Sequence, residues 1–200
     1  ISETQKFGHV TYFFNGNRSG KFSEELEEYV EIPSDTVPFE ERPWMKCAEI
    51  ADRVISEIES KKWDLIKLNF PNGDMVGHTG IYQAVVCSME GLDLQIGRIE
   101  KAVRKAGGVL LITADHGNAD DMYEHKKNGE VDRKEDGSPK AKTSHSLNPV
   151  PFILVDPAYN NEYELTLNEG LGISSVAATV MNFLDFEEPE FYDRSIITLK

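Results

Sequence analysis

Cysteine is scarce: only Cys47 and Cys87 occur in the 200 residues. Each falls in a stretch of helical periodicity, so a disulfide framework is excluded and both are expected to be buried free thiols with structural roles. No apolar run approaches the roughly 20 residues that a membrane-crossing helix needs. The opening residues Ile1, Ser2 and Glu3 lack the basic-then-apolar layout of a secretory leader. These absences predict a soluble, cytoplasmic protein with no membrane partner. Positive charge is also short, with 21 Lys and Arg against 35 Asp and Glu and a net charge of -14. A nucleic-acid partner is therefore not expected, because phosphate backbones are held by clustered Lys and Arg. Much of the acidic excess lies in stretches such as Glu24 Glu25 Leu26 Glu27 Glu28 that read as a solvated face, so it points only weakly to cation binding. Internal repeats and low-complexity linkers are absent. There is no Met at position 1, and an apparent strand starts soon after it, so the chain is expected to be a truncation of a longer protein.

What is present suffices for one domain with a substantial core, since 40% of residues are hydrophobic and 10% aromatic. Residues 10–14, β-branched and aromatic before Asn15 and Gly16, predict a buried strand. A polar loop follows to about Pro43. Apolar positions at helical spacing predict a helix over 44–61, and 63–70 then reads as a strand. A second, longer helix is predicted between Gly80 and Ala106, ended at Gly107 and Gly108, with a strand over 109–113 after it. Residues 125–142 are charged and almost free of apolar side chains, which predicts a surface excursion of hairpin type. Strands over 150–155 and 163–167 and a helix over 173–184, N-capped at or before Gly172, complete the pattern. Alternating helices and continuously apolar strands predict an α/β fold with a largely parallel sheet covered by helices on both faces.

Three short segments each begin where a predicted strand ends: 72–80, with Asp74 four residues before His78; 113–118, with Asp115 next to His116; and 143–146, with His145. Ligands of open α/β sheets bind at the carboxyl ends of strands, so these loops are expected to converge on one crevice. Carboxylate oxygen and imidazole nitrogen together suit Mn²⁺, Zn²⁺ or Fe²⁺ better than Ca²⁺. Each motif by itself also has an ordinary reading, as a helix cap beside a partly exposed histidine. The coincidence favours a metal: of five histidines, three lie in such loops, while His9 and His125 do not. Gly77, Gly80 and Gly117 are read as letting backbone pass close to an ion or phosphate.

Asn72 Gly73 Asp74 Met75 Val76 Gly77 His78 Thr79 Gly80, then Thr113 Ala114 Asp115 His116 Gly117 Asn118, then Thr143 Ser144 His145 Ser146, in this order, resemble the metal motifs in the C-terminal part of the 2,3-bisphosphoglycerate-independent phosphoglycerate mutases. That family lies within the alkaline phosphatase superfamily. Gly8 to Asn17 and Tyr29 to Ser34 are similar to it as well, so the likeness spans nearly the whole chain. The charged excursion resembles the longer form found in plant-like and trypanosomatid versions. The resemblance implies an incomplete alkaline phosphatase-like fold in which Asp74, His78 and His145 hold one Mn²⁺, and Asp115 and His116 supply part of the site for a second. It matches Lys6 to a lysine that contacts substrate phosphate; the plain alternative is a solvated lysine at a strand edge. The family has Glu before that lysine, and this chain has Gln5.

The resemblance also implies what lies outside these residues: a serine nucleophile and one more Asp ligand in an N-terminal segment, and most substrate-binding arginines in an inserted domain. Ser19 is better read as a turn residue than as the nucleophile. The complete enzyme is expected to be a monomer acting on 2- or 3-phosphoglycerate through a phosphoserine, with paired cations activating the serine and neutralising phosphoryl charge. The isolated chain is expected to be inactive. Alternatives are a phosphopentomutase, a metal-dependent phosphatase, or a non-catalytic metal-binding fragment.

Overall fold

The structure is a computed structural model that describes residues 1–165 and 170–200. It divides into two compact units, one of residues 1–106 and 116–150 and the other of 107–115 and 151–200.

In the first unit, β1 (Ser2–Glu3) pairs in parallel with β2 (Glu31–Ile32). Residues 67–69 run along the other side of the chain start: Asn69 N–H donates to the Ile1 carbonyl at 3.1 Å, and Ser2 Oγ donates to the Asn69 carbonyl. The strand expected over 63–70 is a correction: the stretch forms no strand, and its contact with the chain start consists of these individual hydrogen bonds. A 3₁₀ turn, Thr4–Lys6, follows β1 and leads into α1 (Phe7–Val10). The strand expected over 10–14 is a correction, because that stretch winds into local turns. Thr11 Oγ1 donates to the Phe7 carbonyl, and the N–H groups of Phe13 and Asn15 bond to Gly8 and Thr11. Backbone satisfied locally has nothing left for a sheet partner, and Phe13 and Phe14 remain 56% exposed.

The expected helices form as α2 (Cys47–Ser60) and α4 (Tyr82–Ala106), separated by α3 (Asn72–Gly77). Cys47, Ile50, Ala51 and Val54 recur on one face of α2 and are buried, and α2 packs against α4. Removing each Ile or Val side chain from water contributes about 1.5–3 kcal/mol. Lys61, in the left-handed region at φ 53°, ends α2. Gly107, at φ 75°, follows α4 as its composition predicted. A core of Met45, Val76, Ala84, Val85 and Met122 lies beneath α3 and the start of α4. The excursion over 125–142 is a small meander: Tyr123 bridges Ala141, His125 bridges Val131 and Arg133 bridges Pro139, all antiparallel.

In the second unit, β3 (Leu110–Thr113) pairs with β4 (Phe152–Val155), and β5 (Tyr163–Leu165) with β6 (Ile197–Leu199), both antiparallel. Among the described strands the parallel arrangement is therefore confined to β1 and β2. The chain leaves β3, passes through 116–150 in the other unit and runs back along β4. The expected strand over 163–167 is seen to residue 165, and its last two positions lie outside the described residues. Helix α5 (Ser175–Phe183) has Ser174 at its N-cap position, without a side-chain capping bond and two residues later than expected; the residues before it form a turn in which the Ser175 N–H donates to the Gly172 carbonyl. Thr179, fully buried, ties α5 to the residue just before β6 by accepting from the Ile196 N–H at 2.9 Å. Among the described residues no helix is long and apolar enough to cross a membrane.

Both cysteines are free, but only Cys47 is buried; Cys87 is exposed, against expectation, because its position on α4 turns away from the apolar stripe. Burial, aided by nearby acidic charge, pushes the Cys47 thiol up to about 11. A thiol-disulfide reagent at pH 8 should modify one cysteine per native chain, identified as Cys87 by peptide mapping, and Cys47 only after denaturant is added. Equal labelling rates at both positions would contradict this packing.

Candidate metal centre

Asp74 and His78 are one turn apart on α3 and at its C-cap, joined by the His78 N–H donating to the Asp74 carbonyl at 3.0 Å. A single helical turn thus puts both side chains on one face. The helix is pinned by Asn72, whose buried amide donates to the Trp44 carbonyl at 3.0 Å and lies 3.4 Å from Ser88 Oγ on α4. His145 arrives from the far side of the meander. The Nε2 atoms of His78 and His145 lie 3.0 and 3.1 Å from Asp74 Oδ1. One ligand atom from each of the three residues falls within 4.8 Å of the others.

Two more groups close on Asp74. Lys6 Nζ is 2.6 Å from Oδ2, with the side chains of Lys6 and Asp74 only 13% and 12% exposed. This excludes the reading of Lys6 as a solvated lysine. Asn118 Nδ2 donates to Oδ1 at 2.8 Å and lies 3.1 Å from His78 Nε2. Burial works against ionisation of Asp74, but the Lys6 and Asn118 hydrogen bonds and neighbouring positive charge outweigh it and hold the carboxyl down at about 2. Asn118 was quoted in the sequence motif without a role. Its burial, unusual for an Asn in a loop, is the feature that marks it, and sequence alone does not display that.

The donor set fits a divalent transition ion. When Nε2 of each histidine carries no proton, two imidazole lone pairs and a carboxylate oxygen face a common point, an arrangement that a cation relieves. His116 lies beside this group, its ring stacked on that of His145 at 3.5 Å between centroids and 6° from parallel. Its Nδ1 is 3.3 Å from the Gly117 carbonyl, which can only accept. Asp115 precedes His116 in the chain but belongs to the second unit, where its side chain is exposed. Gln5 is exposed, and its backbone N–H, rather than its side chain, engages Ser34.

The glycines admit close neighbours from the protein itself. A Cβ on Gly77 would come within 2.4 Å of Asn118 Oδ1, and one on Gly117 within 2.1 Å of Ser146 Oγ. They make room for the protein's own polar groups, and Gly80 likewise abuts Ala141. The Gly117 approach lets the two ligand-bearing loops bond directly, with the Ser146 N–H donating to the Gly117 carbonyl at 3.0 Å. Asp120 reinforces the joint by accepting from Ser146 Oγ at 2.8 Å and Asn148 Nδ2 at 2.6 Å.

The family model described as Metalloenzyme superfamily matches residues 1–188. The chain belongs to that superfamily. It is 48% identical over 201 residues to the 2,3-bisphosphoglycerate-independent phosphoglycerate mutase of Trypanosoma brucei brucei, covering 98% of this chain and 36% of the relative. It is 47% identical over 197 residues to a probable enzyme of the same name from Leptospira interrogans, with the same two coverages. A solved structure of Leishmania mexicana phosphoglycerate mutase at low cobalt concentration superposes with a TM-score of 0.94 at 42% identity, over 99% of this chain and 36% of that one. The metalloenzyme fold is therefore the alkaline phosphatase-like one that the motifs suggested, and the chain spans little more than a third of the relatives' length.

The Asp120 joint generates a prediction. Partial burial opposes its ionisation, but the Asn148 and Ser146 hydrogen bonds prevail and hold the carboxyl below its ordinary value of 3.8. A lowered folded pKa means that the ionised group stabilises the fold above the unfolded value, and that this gain is lost as pH falls through the folded one. Asp120→Ala should lower stability by about 1 kcal/mol at pH 7, a figure kept small because the residue is solvent-facing. In urea unfolding the difference should narrow below about pH 4. An effect that is absent at pH 7, or that persists undiminished at pH 3, would refute the assigned bond.

Proposed function

We propose that this chain supplies the primary metal site of a cofactor-independent phosphoglycerate mutase, which interconverts 3-phosphoglycerate and 2-phosphoglycerate through a phosphoserine. The carrying observation is the convergence of Asp74, His78 and His145 on one point, with ligand atoms within 4.8 Å of one another. Those three residues would hold the ion, with Mn²⁺ the proposed occupant among divalent transition metals. When bound, such an ion supplies Lewis-acid stabilisation of phosphoryl oxygens and favours an alkoxide nucleophile at neutral pH.

The remaining contributions belong to the chain's own side chains. Asp74 stays ionised across the physiological range, held down by Lys6 and Asn118. His78 and His145 are oriented before any ligand arrives, one by the helical turn and Asn118, the other by its stack on His116 and the Asp120 joint. Lys6 is proposed to meet the substrate phosphate, supported by a nearly buried ammonium beside Asp74. Asp115 and His116 are proposed to contribute to a second ion site, for which the resemblance requires further ligands from outside these residues. In the same reading the 200 residues are the C-terminal part of the metal-binding domain of a monomeric enzyme. A cytoplasmic setting is supported by two unlinked cysteines.

A chimera tests the reading. This chain should be placed in the Trypanosoma brucei brucei relative in place of the matching 36% of its length. The chimera should interconvert 3- and 2-phosphoglycerate in a coupled assay with Mn²⁺, and His145→Ala should reduce turnover by more than the roughly 100-fold that loss of a supporting residue costs. The 200-residue chain alone should give no turnover. A folded, Mn²⁺-bearing chimera without activity, or one indifferent to His145→Ala, would overturn the proposal.

A further inference from the structure

Asp74 is fully engaged by the chain's own donors. Oδ1 is taken by Asn118 and faced by two imidazoles, and Oδ2 is held by Lys6 at 2.6 Å. Both members of the Lys6–Asp74 pair are nearly buried. A buried carboxylate needs a counter-charge, and the ammonium is the cation that supplies it. Lys6 does not reach this place by chance conformations of a long surface chain. It ends a 3₁₀ turn anchored on β1, whose Ser2 and Glu3 are buried in the parallel ladder.

A divalent ion coordinated by Asp74, His78 and His145 would share one carboxylate with this ammonium. At separations of a few ångströms in a part-buried site, repulsion between a single and a double positive charge is strong and poorly screened. We infer that Lys6 is the resident cation of the ion-free site: it preserves the geometry of Asp74 for the ion, competes with it, and gives up Oδ2 when the ion binds. The inference rests on the ion-binding reading given above. Lys6 then has a conformational role that a static phosphate contact does not require, and it lowers the site's affinity for the ion while keeping the carboxylate poised.

Calorimetric titration of the metal-free chain with Mn²⁺ alone, repeated with Co²⁺ and read by its visible absorption, tests the inference without any assay of activity. Removing the charge by Lys6→Met should tighten ion binding about tenfold or more, within the usual range of coupling between two ligands. Lys6→Arg, which keeps the charge, should stay near the wild-type value. In the wild-type chain, reductive methylation of Lys6 followed by peptide mapping should be slow without ion and accelerate when Mn²⁺ is added. This second measurement decides the matter if Lys6→Met does not fold. Wild-type chain that binds Mn²⁺ while Lys6→Met binds it no more tightly, or Lys6 methylation unmoved by the ion, would overturn the inference and leave the ion site standing. Failure of both the wild type and Lys6→Met to bind Mn²⁺ or Co²⁺ would contradict the ion-binding reading itself, and this inference with it.

Discussion

The Asp74 carboxylate is the point on which the first unit's polar architecture turns. Four side chains close on it, three of them from distant parts of the sequence: Lys6 after β1, Asn118 in the loop beyond β3 and His145 beyond the meander join His78 from the end of Asp74's own helix, α3. A negative charge at this depth is tolerated because donors surround it, and the donors are held in place because the charge is there. Contacts of such separation in sequence are expensive in chain entropy. The buried face of α3 compensates, since Val76 sits between Asp74 and His78 and packs into the core. The residue that faces the core and those that face the site thus alternate on one short helix, so any shift of α3 would disturb both.

Around that point, close approach does the work that extra side chains do elsewhere. Gly77 admits Asn118, and Gly117 admits Ser146, so the loops bearing the donors bond to each other instead of merely lying nearby. Asp120 then fastens the segment just after His145 through two hydrogen bonds. Groups that must meet a ligand gain from being placed before it arrives, because the ordering entropy is then met by folding. The stack of His116 on His145 restrains the imidazole that would otherwise be freest, since His145 is 43% exposed.

Much of this was legible in the sequence where one physical signal acted alone. Helical periodicity placed α2 and α4, and glycine placed the end of α4, whereas the short helix α3 that puts Asp74 and His78 on one turn reads in sequence as a strand-end loop. The signal failed where two effects competed. Residues 10–14 have strand composition, but local hydrogen bonds from Thr11, Phe13 and Asn15 claimed the backbone first. The hydrophobic runs of β3 and β4 predicted strands correctly but not their direction, which depends on the 35 residues of the other unit between 115 and 151. Asn118 and Asp120 could not be read at all, because an Asn or Asp in a polar loop looks the same in sequence whether it meets only solvent or, as here, braces the Asp74 carboxylate or ties down the loop after His145. The glycines were legible only in part for the same reason: a small residue announces a close approach but not that Asn118 and Ser146 are what approaches.

The central claim is that Asp74, His78 and His145 form one ion-binding centre. It is tested most directly by crystals of this chain grown with Mn²⁺, with anomalous scattering used to place the ion. The account predicts a single strong peak roughly 2.0–2.3 Å from a carboxylate oxygen of Asp74 and from Nε2 of both His78 and His145. An ordered Mn²⁺ elsewhere on the chain, with those three side chains still bonded to one another at saturating metal, would contradict it.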